Sequence, residues 1–198
     1  MRTAATAGYF TIVSTISTPT YEFSVEEYRK LGDVGIFTED DRVELLNGQI
    51  VHLSPIGFRH THAVRRMNKL FNRRYSHGCE VDVQNPVMID GKSEPQPDLL
   101  LLNAKVYERS TPPLPEDVLL LVEVADSSLH YDRTDKREAY ARNGVSEYWL
   151  LDLTRNELLV FRDSDGRDYR STQTLRPDDS LAPLAFPDIS VAVRELLP

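Results

Sequence analysis

The sequence predicts an α/β protein with a mixed β-sheet flanked by helices. Two apolar runs, "PDLLLLN" and "VLLLVEVA", have the continuous hydrophobicity of strands that are buried on both faces. A helical pattern, "DRTDKREAYARNGV", follows the second run, and three more strand-like segments come after it. The chain has no internal repeat or long linker, so we expect a mobile tail over residues 1–20 and a single domain over residues 21–198.

The N-terminal part of that domain carries signals for a helix, a hairpin and a second helix. In "FSVEEYRKL", Ser24 and Glu27 have the spacing of a capping box, which begins a helix. In "DRVELLNGQIVHL", Asn47-Gly48 joins two apolar runs and predicts a β-hairpin. Residues 58–77 have apolar side chains at helical spacing and predict the second helix.

The rest of the chain is predicted to consist mainly of strands. "CEVDVQNPVMI" alternates like a strand that is exposed on one face. Asn143-Gly144 is expected to end the helix after the central strand, with Gly144 in the left-handed conformation. "SEYWLLDL", "NELLVFRD" and "DYRSTQTL" predict a C-terminal run of antiparallel strands, and "LAFPDISVAVRELL" predicts a short closing helix.

Composition and charge limit the class of protein. A net charge of −8 argues against a protein whose whole surface coats nucleic acid. The second predicted helix is nevertheless basic, and we expect one side of it to contact nucleic-acid phosphates through Arg65, Arg66, Lys69, Arg73 and Arg74. A solvated helix face explains these residues equally well. The single cysteine, Cys79, fits a cytoplasmic protein, and no apolar run approaches the roughly 20 residues of a membrane span.

Three acidic residues lie at positions that are unfavourable for acids. Glu123 interrupts the core strand "VLLLVEVA", where an ionised carboxylate is costly unless a positive partner meets it. Asp98 begins "PDLLLL", and Glu44 interrupts "RVELLNG". Each also has a structural interpretation. Glu123 could belong to a buried ion pair, Asp98 could be a turn residue, and Glu44 could be a solvated residue of the hairpin.

A divalent cation would explain the acid in the core strand. If Asp98 and Glu123 lie on adjacent strands, their carboxylates can meet at one metal ion, and the backbone carbonyl of Val124 can add a ligand. Mg²⁺, or Mn²⁺ in its place, suits such a pair because it binds through one or two carboxylates, waters and substrate phosphate oxygens. Such an ion polarises a phosphoryl oxygen and lowers the pKa of an attacking water.

The "PD" of Asp98, followed by "EVA" on a later strand, resembles the PD-(D/E)XK nuclease superfamily. That resemblance implies a restriction-endonuclease-like fold and metal-dependent cleavage of phosphodiester bonds. The superfamily usually has a lysine two residues after the glutamate, where this chain has Ala125. Lys136, on the following helix with Asp132 and Tyr140 at helical spacing, is a replacement, although a simple surface pair with Asp132 also explains its position.

The wider pattern resembles the Uma family of restriction-type endonucleases. The hairpin, "PDLLL", "LVEVADSSLHYDRTDKREAYARNGVSEYWLLDL" and "FPDISV" carry this resemblance, over roughly residues 22–197. It implies that the lysine has moved to the helix as Lys136, that Glu44 belongs to the site, and that a helix histidine corresponds to His62. "EVADSS" departs mildly from the family pattern, which usually has Ser or Leu and then Ser-Pro after "EV".

These observations predict a Mg²⁺-dependent DNA endonuclease. Its expected catalytic residues are Glu44, Asp98, Glu123 and Lys136, with His62, Gln96 and Tyr140 as accessory residues. A nuclease-fold module that binds nucleic acid or protein without turnover is the alternative, which Ala125 and the acidic net charge favour. A small-phosphoester hydrolase is a third reading, although the chain lacks a glycine-rich phosphate loop. By analogy with relatives of this fold, we expect a homodimer.

Overall fold

The computed structural model describes residues 19–38, 40–108 and 110–198. In chain order, the helices and strands are α1 (Val25–Asp33), β1 (Val43–Leu46), β2 (Gln49–His52), α2 (Phe58–Tyr75), β3 (Cys79–Asp82), β4 (Leu99–Asn103), β5 (Val118–Ala125), α3 (Leu129–Tyr131), α4 (Arg137–Arg142), β6 (Glu147–Asp152), β7 (Glu157–Ser164), β8 (Tyr169–Leu175), β9 (Ser180–Leu181) and β10 (Val191–Ala192). A π-helical turn, Asp132–Lys136, joins α3 to α4. Nearly all of the predicted mobile tail over residues 1–20 lies outside the described residues.

The local signals at the N-terminal end form as predicted. Ser24 and Glu27 make the reciprocal hydrogen bonds of a capping box at the start of α1. Strands β1 and β2 pair antiparallel across Asn47 and Gly48. Both of these residues have positive φ, 51° and 74°, as the tight turn of a two-residue hairpin requires.

A six-stranded sheet carries the rest of the fold. Its strand order is β3-β4-β5-β6-β7-β8. Strands β5 and β6 are parallel, because the helical segment between them returns the chain to the same end of the sheet. The other neighbouring strands are antiparallel, so the predicted mixed sheet and the C-terminal antiparallel run are confirmed.

The two faces of the sheet form two separate hydrophobic clusters. Leu120, Val122 and Val124 of β5 pack in the cluster that contains the buried side of α2. Leu121 and Ala125 belong to the other cluster, which contains the buried side of α4. Because side chains alternate along a strand, Glu123 faces α4.

Two predicted elements differ from the structure. The predicted strand over residues 79–89 ends at Asp82, whose carboxylate accepts hydrogen bonds from the Val83 N–H and the Asn85 side chain. Gln84 then adopts a left-handed φ of 54°, which turns the chain out of the extended conformation. The predicted closing helix is only a short 3₁₀ turn, Val193–Glu195, after β10. No helix in the described part of the chain is long and apolar enough to cross a membrane.

Candidate active site

A cleft of about 150 Å³ lies where β4 begins and β5 ends. The loop between β2 and α2 forms one wall, and the segment from the end of β5 to the π turn forms the opposite wall. Asp98, Glu123 and Lys136 all line this cleft. The fold therefore brings the three residues to one place, as the sequence predicted.

The partner of Glu123 is the side chain of Lys136. The Lys136 Nζ lies 2.8 Å from Glu123 Oε1 and 3.2 Å from Glu44 Oε1. Tyr140 donates its hydroxyl hydrogen to the same Glu123 oxygen at 2.7 Å. Ala125 lies on the same face of β5, buried against the helical cluster. The amine that contacts Glu123 thus comes from the π turn after β5, while position 125 of the strand is an alanine.

The π turn changes which residues accompany this lysine. In a π turn the repeat is closer to five residues than to four, so Tyr131 comes into line with Lys136. The Lys136 Nζ lies 5.7 Å from the centre of the Tyr131 ring, and the Tyr131 hydroxyl donates to Glu44 Oε1 at 3.0 Å. The predicted i, i+4 partner, Asp132, is more distant, at 4.0 Å from the Nζ. Tyr131 was missed because helical spacing alone does not indicate a π turn.

Asp98 lies beside Glu123, next to the C-terminal end of β5. Leu99 of β4 pairs with Val122, and the same register continued by one residue sets Asp98 opposite Glu123. The Val124 N–H donates to Asp98 Oδ2 at 2.9 Å. The C=O and N–H of one strand residue point to the same side, so the Val124 carbonyl is also directed towards Asp98.

Two side chains outside the main sheet also bind Asp98. The His60 Nε2 lies 2.9 Å from Asp98 Oδ2. Gln84 donates from Nε2 to Asp98 Oδ1 at 3.2 Å, from a backbone with the left-handed φ of 54°. Both contacts fix the orientation of the Asp98 carboxylate, and neither residue was predicted.

The structure does not bring His62 into this cluster. His62 is exposed, and its ring lies 6.0 Å from that of Phe58. His60 and His62 are separated by about 200° around the helix axis, so only one of them can face the cleft. The apolar stripe of α2 favours His60, which lies three and four residues before the buried Ala63 and Val64.

Gln96 contacts the site through its backbone. Its N–H donates to Glu44 Oε2 at 3.0 Å, while its exposed side chain lines the cleft. Glu44 therefore has hydrogen-bond partners on both carboxylate oxygens, although it is completely buried. This arrangement holds Glu44 in place beneath Lys136.

The buried charges around Lys136 are those of three carboxylates, Glu123, Glu44 and Asp132. Burial raises the pKa of Glu123 to about 8, although Lys136 acts in the opposite direction. Burial likewise raises the pKa of Asp132 to about 6. Burial alone would lower the pKa of Lys136, but Glu123, Glu44 and Asp132 together raise it well above its ordinary value. Lys136 is therefore charged, and Glu123 is the acid beside it whose raised pKa lies above neutral pH.

The oxygen ligands of the cleft fit Mg²⁺ better than a metal that requires a complete protein cage. Among the described residues, no three Asp, Glu, His or Cys side chains form a ready metal-binding group. Mg²⁺ does not need one, because it binds through one or two carboxylates and keeps several waters. Lys136 and Tyr140 both bind Glu123 Oε1, and no described residue donates a hydrogen bond to Oε2. Glu123 Oε2, Asp98 and the Val124 carbonyl are the ligands that such an ion could use.

The basic residues of α2 divide into two groups. Arg66 donates to the backbone carbonyl of Glu195, and Arg74 pairs with the Glu195 carboxylate at 2.7 Å, so both attach the C-terminal segment to the helix. Arg65, Lys69 and Arg73 are exposed and lie at i, i+4 and i+8 on one side of α2. Arg66 is exposed as well, but its guanidinium is bound by the C-terminal segment.

Fold and cleft together define a protein of the restriction-endonuclease-like nuclease class. A crystal structure described as "a putative nuclease belonging to DUF820 from Anabaena variabilis" has the same fold, with a TM-score of 0.71 over 88% of this chain and 97% of that chain, at 14% sequence identity. The sequence profile of the family described as "Uma2: Putative restriction endonuclease" matches residues 25–194, and the chain belongs to that family. No curated protein matches the chain.

Proposed function

We propose that this protein is a Mg²⁺-dependent endonuclease that hydrolyses DNA phosphodiester bonds. The observation that carries this proposal is the Lys136–Glu123 contact of 2.8 Å in a cleft that Asp98 also lines. Two acids and an amine that share one cleft are the kinds of group that metal-dependent phosphodiester cleavage uses, which supports the proposal. The nuclease description of the Uma2 family supports the same reaction class.

Asp98, Glu123 and the Val124 carbonyl would hold the metal ion. When bound, Mg²⁺ supplies a Lewis acid that polarises a phosphoryl oxygen and lowers the pKa of a ligated water. Val124 N–H, Gln84 and His60 keep the Asp98 carboxylate in one orientation. A fixed carboxylate loses less conformational freedom when its ligand arrives.

Lys136 is the residue that acts on the reacting groups. Two of its three N–H bonds are directed at Glu123 and Glu44, which leaves the third for the attacking water or a phosphate oxygen. A fixed positive charge in a water-poor cleft stabilises the negative charge that develops on the phosphate. Glu44, Tyr131 and Tyr140 would be positioning residues: Glu44 contacts Lys136, Tyr140 donates to Glu123, and Tyr131, which also lines the cleft, donates to Glu44.

The basic stripe of α2 lies on the side of the helix away from His60, so it would contact DNA that flanks the cleft and not the scissile phosphate itself. Arg65, Lys69 and Arg73 are exposed on this helix, and its first turns form one side of the cleft through Gly57 and His60. Phosphate contacts by these residues would make binding weaken steeply with salt.

The test compares two matched glutamate variants. Wild-type protein is expected to bind Mn²⁺ or Mg²⁺ in calorimetry and to nick supercoiled plasmid, and Glu123→Gln is expected to lose both properties. Glu147→Gln, which changes a buried glutamate outside the cleft, is expected to keep both. Metal binding without nicking by the wild type would instead indicate a module without turnover. Equal metal affinity in Glu123→Gln and wild type would reject the site.

A further inference from the structure

A second, larger cavity adjoins the candidate active site. Its volume is about 580 Å³, and it lies between α1, the segment before β1 and the loop after β3. Three residues, Arg42, Ile56 and Gln96, line both this cavity and the active-site cleft. The size is within the roughly 300–1,000 Å³ that is typical of small-molecule sites. A substrate held in the cleft can therefore extend directly into this cavity.

One wall of the second cavity is aromatic. The rings of Tyr28 and Phe37 both line it, with their centres 6.4 Å apart and their planes inclined at 43°. The Tyr28 hydroxyl donates to the Val43 carbonyl at 3.0 Å, which fixes that ring, while Phe37 is half-buried. Flat aromatic surfaces of this kind stack on nucleobases with little dependence on which base is present.

The charged side chains in the lining of the cavity are Arg29, Arg42 and Asp41. Arg29 and Arg42 line it, and Arg29 is held by the buried Glu94, with Nε 3.1 Å from each carboxylate oxygen. Asp41, the acid in the lining, accepts hydrogen bonds from the Thr38 N–H and hydroxyl, both at 2.9 Å. Arg29 is compensated by Glu94, whereas Arg42 donates to the Ser54 carbonyl and forms no ion pair with a described carboxylate, so Arg42 is the cation that can meet an anionic ligand. Arg42 is at the junction of the two cavities, beside the candidate metal ligands.

Gln84 connects this cavity to the active site. The non-glycine residues with positive φ in the described chain are Asn47, Gln84, Asn156 and Asp163. Asn and Asp adopt this conformation readily, whereas Gln does not, so the backbone at Gln84 is held there by its surroundings. Its side-chain N–H reaches Asp98 at 3.2 Å, and the residue also lines the second cavity. An amide side chain offers both a donor and an acceptor to the edge of a base.

We propose that the second cavity binds the unstacked nucleobase of the nucleotide next to the scissile phosphate, with Arg42 on the phosphate between the two cavities. This inference rests on the proposed endonuclease function and specifies its substrate class. A base in this cavity cannot remain paired in a duplex, so the preferred substrate is single-stranded or locally opened DNA. Phe37 and Tyr28 provide stacking, and Gln84 and Gln96 contact the base edge.

The test uses a single-stranded oligonucleotide that carries one 2-aminopurine and a separate fluorescein. The buffer contains EDTA, so that binding is measured without cleavage. Fluorescein anisotropy reports binding, and loss of 2-aminopurine emission reports stacking of the base on an aromatic ring. Wild type is expected to bind the strand and to quench the 2-aminopurine at one position of the label but not at others.

Four variants separate the cavity from the rest of the surface. Phe37→Ala and Phe37→Leu, of which the second retains an apolar side chain, are expected to abolish quenching and to weaken binding roughly 10-fold. Arg42→Gln is expected to weaken binding by a similar factor. Arg170→Gln, which changes an exposed arginine on β8, is the matched control and is expected to behave as wild type.

The outcomes distinguish this inference from the proposed function. If both Phe37 variants quench and bind like wild type, while the wild type nicks plasmid with Mn²⁺, the cavity does not take a base and the endonuclease proposal stands. If a fully paired duplex binds as tightly as the single strand, with equal quenching, the substrate preference is wrong. If the wild type binds no oligonucleotide and nicks no plasmid, both proposals are overturned.

Discussion

Two buried glutamates on neighbouring strands have opposite roles in this fold. Glu123 on β5 is 3% exposed and Glu147 on β6 is fully buried, so burial does not distinguish them. Glu147 Oε1 accepts hydrogen bonds from Trp149 Nε1 at 2.8 Å and from Arg162 Nε at 2.7 Å, and its Oε2 accepts from the Leu184 N–H at 2.6 Å. Glu123 receives its hydrogen bonds, from Lys136 and Tyr140, on Oε1.

The difference is in how completely each charge is compensated. Glu147 has donors on both oxygens and its own arginine, as a structural acid needs. Glu123 shares one lysine with Glu44 and Asp132 and lines an open cleft. Burial is the main cause that raises the pKa of Glu123 to about 8, and the neighbouring carboxylates add to it against the effect of Lys136. A buried acid therefore indicates function when its compensation is incomplete, and not because it is buried.

Removal of the shared lysine should have the largest effect. Lys136→Met leaves Glu44 and Glu123 buried without a cation, and we expect it to lower the free energy of unfolding by roughly 3–5 kcal/mol at pH 9. Because the folded-state pKa of Glu123 is raised to about 8, the folded protein holds a proton that the unfolded chain releases. Stability from this group is thus present at lower pH and lost as the pH rises through 8, so the loss should be smaller at pH 6.

Urea unfolding at pH 6 and pH 9 measures this difference. Lys92→Met is a suitable control, because Lys92 and Glu22 form an exposed pair, and it should match wild type at both pH values. An equal loss for Lys136→Met at pH 6 and pH 9 would show that packing, and not charge compensation, accounts for the stability contributed by Lys136.

Substitution by glutamine should destabilise the protein more at Glu147 than at Glu123. Glu147→Gln removes charge-assisted hydrogen bonds from Arg162 and should cost roughly 1.5–3 kcal/mol. Glu123→Gln removes a carboxylate that burial already disfavours, and its amide oxygen can still accept from Tyr140. Lys136 keeps Glu44 as its partner, so this variant should lose less than about 1 kcal/mol at pH 9. Thermal or urea unfolding at pH 9 measures the stability of both variants. A Glu123→Gln protein that is less stable than Glu147→Gln would contradict the prediction.

Much of this contrast could be predicted from the sequence. A carboxylate in "VLLLVEVA" indicates an unusual charge, and the absence of lysine at position 125 directs attention to Lys136. Local signals, such as the capping box at Ser24 and the Asn47-Gly48 turn, also form as predicted, because they depend only on residues close in sequence.

The remaining features depend on tertiary contacts that local patterns do not contain. The π turn that aligns Tyr131 with Lys136 has the same apolar spacing as an ordinary helix. Arg66 and Arg74 looked like part of a phosphate-binding face, but the C-terminal segment more than 110 residues later binds both of them. Glu147 was not identified because its partner Arg162 is on a neighbouring strand, and sequence alone does not show which acids such partners satisfy.

The smallest expected effect on stability concerns a further acid of the cleft, Asp98. It depends on orientation by neighbours, as Glu147 does, yet it lines the cleft, as Glu123 does. His60→Gln removes the contact of 2.9 Å to Asp98 Oδ2 and should weaken Mg²⁺ binding or slow plasmid nicking roughly 10- to 100-fold, with little change in stability. His62→Gln is the matched control on the same helix, because His62 is exposed and faces away from the cleft. If both variants lose activity equally, the helix as a whole and not the histidine supports Asp98. If neither does, the Val124 N–H and Gln84 are sufficient to orient the carboxylate, and His60 acts only in packing.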